Sequence, residues 1–367
     1  MLQVTYLVRA ADGDIAARAE ALLLEQAVEL PRWAAVRDPW VAEHILGRVE
    51  TIRREGEGLH RVTIAHPLAT AAGDPAQLLN VLFGNSSLQP DVVLADVELP
   101  AAAFDWLPGP RHGIAGLRAL AGVDDRPLLA TALKPMGLRP AQLAALCGTF
   151  ARAGLDVVKD DHGLADHPFC PFESRVDACL RAVDDAARDT GRRALYVPNL
   201  IGTPERVVRQ YEYARRAGVR AVMISPMIVG LPLLHQLASE AEGLALVAHP
   251  AFGGVLRALE PAFFGRLFRW FGADAVVFPH AGGRFSYSLD TCRELAAALR
   301  RPEPRSRAAL PVPAGGIRVE RIGELVDFYG RDCMLLIGGS LYEAGDELFQ
   351  RTRALVEQVA RVAEPVR

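Results

Sequence analysis

Short apolar runs alternate with longer amphipathic stretches from about Pro127 to the end of the chain. Eight such runs begin near residues 126, 155, 194, 221, 244, 275, 309 and 333, from RPLLATAL to CMLLIGGS. Their spacing of about 23 to 39 residues is the period of a strand–helix unit. Stretches between them, such as TPERVVRQYEYARRAG, open on threonine or proline and close on glycine, as helices do. This pattern predicts a (β/α)8 TIM barrel rather than a doubly wound sheet.

The first part of the chain has a different pattern. VTYLVRA, HRVTIAHPL and DVVLADVELP predict strands, whereas AARAEALLLEQAV and DPAQLLNVLFG predict helices. These elements form a small α+β domain, and RHGIAGLRALAG predicts a helix that joins it to the barrel. The sequence therefore predicts an N-terminal domain over residues 1–112 and a barrel over 113–367.

The composition narrows the class of protein. Of the 367 residues, 41 are Lys or Arg and 44 are Asp or Glu, so the net charge of −3 offers no basic surface for nucleic acid or anionic lipid. Half of the residues are hydrophobic, which excludes wholesale disorder. No apolar run approaches the roughly 20 residues of a membrane span, and the N-terminus does not resemble a secretory signal. We therefore expect a cytoplasmic protein without nucleic-acid or membrane partners.

Cysteine and lysine usage adds two observations. The cysteines are irregularly spaced and odd in number, so we expect free, buried thiols in a reducing compartment: Cys147, Cys170, Cys179, Cys292 and Cys333. Lys134 and Lys159 are the only lysines, and the other 39 of the 41 basic residues are arginine. Because lysine can lose its proton and arginine cannot, these two positions are candidates for chemistry that needs an amine.

Polar residues and glycines follow every predicted barrel strand, where the active sites of such barrels lie. In chain order they are Lys134; Lys159, Asp160, Asp161 and His162; Asn199; Ser225; His249; His280; Gly315 and Gly316; and Gly338, Gly339 and Ser340. If the strands are assigned correctly, these groups converge on one face of the barrel.

The residue types at these positions suggest three kinds of chemistry. The glycine turns after the seventh and eighth strands are the usual phosphate site of such barrels, although glycine pairs also mark plain turns. Asp161 and His162 are metal-ligand types, and Lys159 could join them only as a neutral amine or a carbamate; the alternative is a solvated loop. His249 and His280 are candidates for acid–base or substrate-hydroxyl contacts, or are ordinary core groups.

Several segments together resemble the RuBisCO superfamily. They are GLDVVKDDHGLADHPFCPFESRV, LLATALKPMGL, LPVPAGGI and LLIGGSLYEAG in the barrel, with LEQAVELP and VLFGNSS in the first domain. The resemblance implies a ferredoxin-like N-terminal domain, a (β/α)8 barrel, and an antiparallel homodimer with shared active sites.

The resemblance also implies residue roles. Lys159 would be a carbamylated metal ligand and Asp161 a second ligand of Mg²⁺, while Lys134 would handle protons beside the substrate. His249 and His280 would contact substrate hydroxyl or phosphate. Two further sets follow: Gly315, Gly316, Gly338 and Gly339 would hold a phosphate, and Glu25 and Asn85 would reach across the dimer.

The departures from the family pattern are specific. The third metal ligand, a carboxylate in the family, is His162 here, which weakens the expected affinity for Mg²⁺. Met136, Ala314 and Pro250 replace a lysine, a serine and an arginine of the family motifs. No lysine follows Lys159, so the mobile lysine that serves CO₂ addition is absent. Carboxylation is therefore not expected, and the chain resembles the form IV RuBisCO-like proteins.

With carboxylation excluded, the resemblance implies that the protein enolises a phosphorylated ketose. A metal polarises the carbonyl and a base removes the neighbouring proton; Lys134 is the first candidate, and it must be neutral when it acts. The leading prediction is isomerisation of 5-methylthioribulose 1-phosphate, because similar RuBisCO-like proteins of sulfur salvage carry PHAGGRF-like and KDDH-like segments. Three alternatives stay open: a 2,3-diketo-5-methylthiopentyl-1-phosphate enolase, a decarboxylase or hydrolase of a 3-oxo sugar-acid phosphate, and a catalytically silent sugar-phosphate binder.

Overall fold

The computed structural model describes residues 1–285 and 287–363, which form two compact units. The first unit comprises Met1–Pro108 together with Val255–Leu267. The second comprises Gly109–Gly254 and the described chain from Phe268 onward. The segment Val255–Leu267 lies within the sequence of the barrel, and no break in the apolar pattern marked it as part of the first unit.

The first unit contains a four-stranded sheet and four helices. Its elements are β1 (Leu2–Arg9), α1 (Ile15–Ala27), α2 (Arg32–Ala35), α3 (Pro39–His44), β2 (Arg48–Gly56), β3 (Leu59–His66), α4 (Pro75–Leu82) and β4 (Val92–Glu98). The strands pair antiparallel in the order β2-β3-β1-β4. This βαββαβ order is the ferredoxin-like arrangement that the resemblance implied.

The predicted strands of this unit formed because apolar residues alternate along them. On β1, Leu2, Val4, Tyr6 and Val8 are buried, and the residues between them are not. The pattern did not reveal β2, whose sequence RVETIRREG is mostly exposed because it is an edge strand. Charged residues are common on such edges, since they discourage pairing with another chain.

The second unit alternates strands with helices. Its elements are α5 (Gly113–Ala121), β5 (Leu128–Leu133), α6 (Pro140–Arg152), β6 (Val157–Asp160), α7 (Phe172–Thr190), β7 (Leu195–Val197), β8 (Asn199–Leu200), α8 (Pro204–Arg216), β9 (Ala221–Ile224), α9 (Pro226–Val229), α10 (Leu231–Ala238), β10 (Ala245–Ala248), α11 (Phe268–Trp270), β11 (Ala275–Pro279), α12 (Leu289–Arg300), β12 (Leu310–Ala314), α13 (Ile322–Tyr329), β13 (Met334–Leu336), α14 (Gly339–Tyr342) and α15 (Leu348–Ala363).

All strand pairs of the second unit are parallel, and together they form the predicted barrel. One run of neighbours is β12-β11-β10-β9-β8, and the other is β13-β5-β6-β7. β7 and β8 are one strand interrupted at Pro198, which has no N–H to donate to a ladder. β12 lies beside β13 and closes the barrel. The eight predicted runs are thereby confirmed as its strands.

The interior of the barrel is apolar over most of its depth. Alternate residues of neighbouring strands belong to one buried cluster, for example Ala221 and Met223 on β9 and Ala245 and Val247 on β10. The five cysteines are free and buried, as predicted. Among the described helices, none combines the length and the apolar character that a bilayer crossing requires.

Candidate active site

The two-residue period of a strand decides which side chains enter the site. On β6, Val157 belongs to the buried cluster inside the barrel, so Lys159 and then Asp161 lie on that same inner side at the strand's carboxyl end. Counting every second residue from the inner cluster on the other strands places five more residues on the inner side of their strand ends. They are Lys134, Ser225, His249, Gly316 and Gly338. Five strands in addition to β6 therefore contribute residues to this site.

Lys159 is the buried lysine of this site. Its side chain is almost inaccessible to solvent, and Nζ donates a hydrogen bond to the carbonyl oxygen of Asp160 at 2.9 Å. Burial lowers the pKa of Lys159 to about 8, because the attraction of Asp161 and Asp160 offsets the loss of water only in part. A substantial fraction of this amine is therefore neutral at weakly alkaline pH.

Lys134 has a different environment, with a side chain that is 40% exposed. Its Nζ donates to Oδ2 of Asp161 in an ion pair. Tyr342 of α14 fixes the backbone here, since its hydroxyl accepts from Lys134 N at 3.0 Å and donates to Ala132 O at 2.9 Å. Lys134 is therefore partly exposed and ion-paired, and the buried amine of the site is that of Lys159.

Asp161 connects the two lysines. Burial disfavours its charged form, but the hydrogen bonds from Lys134 and from the Gly163 N–H, the latter at 3.1 Å, outweigh burial and hold the pKa of Asp161 below its ordinary value. Asp161 is therefore ionised at neutral pH. It supplies negative charge beside the two lysines, which lie at the ends of the neighbouring strands β5 and β6.

His162 and His249 form a stacked pair next to these groups. Their ring centroids are 4.4 Å apart with an interplanar angle of 10°, and Nδ1 of His162 lies 3.5 Å from Oδ1 of Asp161. Burial and the charge of Lys159 lower the pKa of both histidines, that of His249 well below its ordinary value. The Ala251 N–H donates to Nδ1 of His249 at 3.2 Å, so the neutral ring carries its proton on Nε2.

These residues fit a divalent ion on one condition. No set of three or more His, Cys, Asp or Glu side chains within 1–285 and 287–363 is arranged to hold a metal. Asp161 and His162 offer two ligands of ordinary type, and an ammonium at Lys159 would repel a cation. A carbamate at Lys159 would remove that charge and present oxygen instead, and the lowered pKa of this amine favours its neutral, CO₂-reactive form.

His280 lies apart from the group around Asp161 because its side chain faces the other side of its strand. Val277 is in the inner cluster, so His280, three residues on, faces the other side of β11. There its Nδ1 shares a hydrogen bond of 2.8 Å with the hydroxyl of Tyr329 on α13. Burial, followed by the charge of Arg321, lowers its pKa. His280 therefore belongs to a second polar group behind the strand ends.

The glycines after β12 follow the strand next to β11, which carries His280 at its end. Gly315 and Gly316 have φ values of +89° and +104°, which side chains rarely adopt. A small, partly open pocket is lined by Gly316 with His280, Ala281, Gly283, Ile317, Arg318, Arg321 and Leu325. After β13, a Cβ at Gly338 would lie 4.0 Å from Cε of Lys134, and a Cβ at Gly339 would meet no heavy atom within 4 Å. The two glycine turns thus leave open backbone beside Lys134 and His280.

The sequence missed a buried network that supports the site from the outer side of β6. Asp160 and Arg175 form a fully buried ion pair at 2.9 Å, and the Tyr196 hydroxyl donates to the same carboxylate at 2.8 Å. Asn199 N also donates to Asp160 at 3.0 Å, and its side-chain amide donates to the His162 carbonyl at 3.0 Å. Only the position of Asp160 between Lys159 and Asp161 signalled this role.

Glu25 and Asn85, which the resemblance placed across a dimer, lie together in the first unit. The Asn85 amide donates to Glu25 at 3.0 Å and to Glu29 at 3.4 Å. Both residues stand in exposed surroundings. The fold thus brings these two residues of distant sequence into one exposed polar cluster.

Comparison with known proteins agrees with this architecture. The family described as ribulose bisphosphate carboxylase large chain, catalytic domain, matches residues 113–282. "Ribulose bisphosphate carboxylase-like protein 1" of Rhodopseudomonas palustris is 50% identical over 97% of each chain. The 5-methylthioribulose-1-phosphate isomerase of Rhodospirillum rubrum is 46% identical over 99% of this chain and 97% of that one.

Structural comparison gives the same result. The crystal structure of a Rubisco-like protein from Rhodopseudomonas palustris superposes with a TM-score of 0.91 at 45% identity, covering 100% of this chain and 99% of that chain. Relatives named 2,3-diketo-5-methylthiopentyl-1-phosphate enolase are more distant, at 31–34% identity over 77–86% of this chain. The chain therefore belongs to the RuBisCO large-chain family and is one of its RuBisCO-like members.

Proposed function

We propose that this protein is an isomerase that moves a proton between carbons of a phosphorylated ketose, and that its substrate is 5-methylthioribulose 1-phosphate. The observation that carries the proposal is the group of Lys134, Lys159, Asp161, His162 and His249 at the inner strand ends. It places amines, a carboxylate and neutral imidazoles side by side. Such a group can accept a proton and return it elsewhere.

The choice of substrate rests on the relatives. A protein named for this isomerisation is 46% identical over nearly the whole chain, whereas the relatives named as enolases reach only 34%. Met136 is also consistent with an apolar substrate end. It is exposed, and it replaces the second lysine of the family motif next to Lys134 with a thioether whose methyl carbon lies near Gly163.

The reaction needs no oxidant or reductant. A base takes the proton from the carbon next to the ketone, the C–H electrons form a carbon–carbon double bond, and the carbonyl electrons move to oxygen as an enediolate. Return of a proton to another face or carbon of the enediolate gives an isomeric pentulose phosphate. We assign the proton transfer to Lys134, whose neutral amine takes the proton from carbon and whose ammonium form returns it to the enediolate.

His249 is suited to stabilise the oxygen that gains charge. Its lowered pKa keeps the ring neutral, and its Nδ1 is occupied by the Ala251 N–H, so Nε2–H remains as a hydrogen-bond donor. A divalent ion held by Asp161, His162 and a carbamate of Lys159 would supply Lewis-acid polarisation of the substrate carbonyl. We assign the substrate phosphate to the open backbone of Gly315, Gly316, Gly338 and Gly339.

We also propose that the protein works as a homodimer in which Glu25 and Asn85 complete a neighbouring subunit's site. Large apolar side chains are exposed near this pair in the first unit, including Leu30, Trp33 and Leu88. Trp33, for example, is 64% exposed. Large exposed apolar side chains are candidates for burial in a protein interface.

Proton NMR in D₂O with 5-methylthioribulose 1-phosphate, Mg²⁺ and bicarbonate tests the function. We expect deuterium to enter the sugar carbons and the signals of a new pentulose phosphate to appear. Deuterium uptake only with 2,3-diketo-5-methylthiopentyl 1-phosphate would instead assign the enolase reaction of the more distant relatives. Absence of exchange with both compounds would reject enolisation and leave a sugar-phosphate binder.

A further inference from the structure

Arg284 occupies an unusual position beside the Gly315–Gly316 turn. It lies on the loop that follows β11, and its backbone N–H donates to the carbonyl oxygen of Gly315 at 2.7 Å. A Cβ on Gly316 would come within 3.0 Å of Arg284 N and 3.1 Å of its Cγ. The stem of the Arg284 side chain is therefore packed directly on the glycine turn, and the turn can approach it so closely only because residue 316 is glycine.

No carboxylate among the described residues neutralises the charge of Arg284. Its guanidinium lies 5.7 Å from the ring centroid of Phe285, and within residues 1–285 and 287–363 no carboxylate is in ion-pair distance of it. The other arginines of this region are paired, Arg321 with Glu324 at 2.9 Å and Arg318 with Glu320 at 3.4 Å. Arginine is abundant in this chain, and Arg284 differs from Arg318 and Arg321 in having no carboxylate partner among the described residues.

We propose that Arg284 is a substrate-binding residue that contacts the phosphate group of the substrate at the Gly315–Gly316 turn. The proposal rests on the proposed function in one respect, namely that the substrate is phosphorylated. A guanidinium offers two parallel N–H donors to phosphate oxygens, and its charge complements the dianion. Pro250 stands where the family motif has an arginine, whereas Arg284 provides a cation on the loop after β11.

The test compares Arg284→Gln and Arg284→Lys with the wild type and with Arg293→Gln. Arg293 is a matched control, because it is exposed on α12 and paired with Asp290 away from the glycine turns. Titration with inorganic phosphate, followed by ³¹P NMR or calorimetry, gives phosphate affinity without turnover. The exchange assay in D₂O gives KM and kcat separately.

We expect Arg284→Gln to weaken phosphate binding and raise KM by about 10- to 100-fold, the effect of losing a charged hydrogen-bond partner, with kcat changed less than about threefold. Arg284→Lys should recover part of the affinity, and Arg293→Gln should match the wild type. Unchanged phosphate affinity in Arg284→Gln, or a fall in kcat alone, would overturn the assignment.

The phosphate titration also separates this proposal from the proposed function. Phosphate binding that depends on Arg284, in a protein that exchanges no proton of 5-methylthioribulose 1-phosphate, would reject the isomerase and keep the phosphate contact. Proton exchange with a normal KM in Arg284→Gln would keep the isomerase and reject the phosphate contact.

Discussion

Lys134 and Lys159 each end a barrel strand on its inner side, yet they meet different surroundings. Lys159 is enclosed and has a pKa of about 8, whereas Lys134 is partly exposed and paired with Asp161. One carboxylate therefore pairs with the exposed amine of Lys134 and also acts electrostatically on the buried amine of Lys159.

Replacement of Lys134 by methionine tests its role. Lys134→Met keeps the length of the side chain but removes the amine, so we expect exchange in D₂O to fall by about 10²- to 10⁴-fold, the usual contribution of a positioned acid–base group. The control is Arg152→Met, an exposed cation paired with Asp189 on the barrel surface. Normal exchange in Lys134→Met would remove this residue from its assigned role.

The lowered pKa of Lys159 predicts a pH dependence. CO₂ adds only to the neutral amine, whose fraction rises as pH increases through about 8. At a fixed concentration of dissolved CO₂, formation of a carbamate at Lys159 should therefore become faster up to that pH and level off above it. ¹³C NMR with ¹³C-labelled bicarbonate and Mg²⁺ measures the carbamate carbon. A carbamate signal that persists in Lys159→Met would place the modification at another amine.

At the scale of elements, α7 supports β6 through a contact on the outer side of the strand. Arg175 of α7 reaches Asp160 on the outer side of β6, and its Nη1 also donates to the carbonyls of Ala165 and Cys170 at 3.1 Å. Because Lys159 and Asp161 flank Asp160 in the chain, this contact sets the direction in which they enter the site. The geometry of the site thus depends on a residue that faces away from it.

Arg175→Met should be strongly destabilising. It leaves the Asp160 carboxylate buried without its cation, for which we expect a loss of about 3–5 kcal/mol in the free energy of unfolding, measured by urea denaturation. The matched control is Arg188→Met on the same helix, whose ion pair with Asp185 is exposed and should contribute about 0–1 kcal/mol. Equal effects of the two substitutions would contradict the supporting role of Arg175.

At the scale of the whole molecule, the two units carry different parts of the proposed site. The barrel holds the lysines, the histidines and the glycine turns, and the first unit holds the Glu25–Asn85 pair beside exposed apolar side chains. If subunits share their sites, each site needs one barrel and the first unit of the other subunit. Activity would then be a property of the dimer.

Subunit mixing tests this arrangement. Glu25→Gln and Lys134→Met chains should each be inactive alone, but a mixed dimer would contain one site with both native residues. Random mixing makes about half of the dimers hybrid, each with one of two sites intact, so about a quarter of wild-type activity should return. The readout is exchange in D₂O after joint refolding or coexpression. A mixture that stays inactive, although ultracentrifugation shows hybrid dimers, would place Glu25 outside the neighbouring site.

Much of the architecture could be predicted because it depends on local periodicity. The eight apolar runs and the helices between them predicted the barrel, and alternation on β1 predicted an N-terminal strand. The exposed strand β2 was not predicted, because an edge strand buries too few side chains to show an alternating apolar pattern. The assignment of Val255–Leu267 to the first unit was also not predicted, because it depends on contacts with residues far away in the sequence.

The sequence by itself determined the barrel, the strand ends and the residues available there, since these follow from the spacing of apolar and polar positions along one chain. Tertiary structure alone decided which lysine is buried and which is ion-paired, that His280 turns toward Tyr329, and that Arg284 lies without a carboxylate partner among the described residues. Solvent exclusion and electrostatic interaction depend on distances between residues far apart in sequence, and only the folded chain sets those distances.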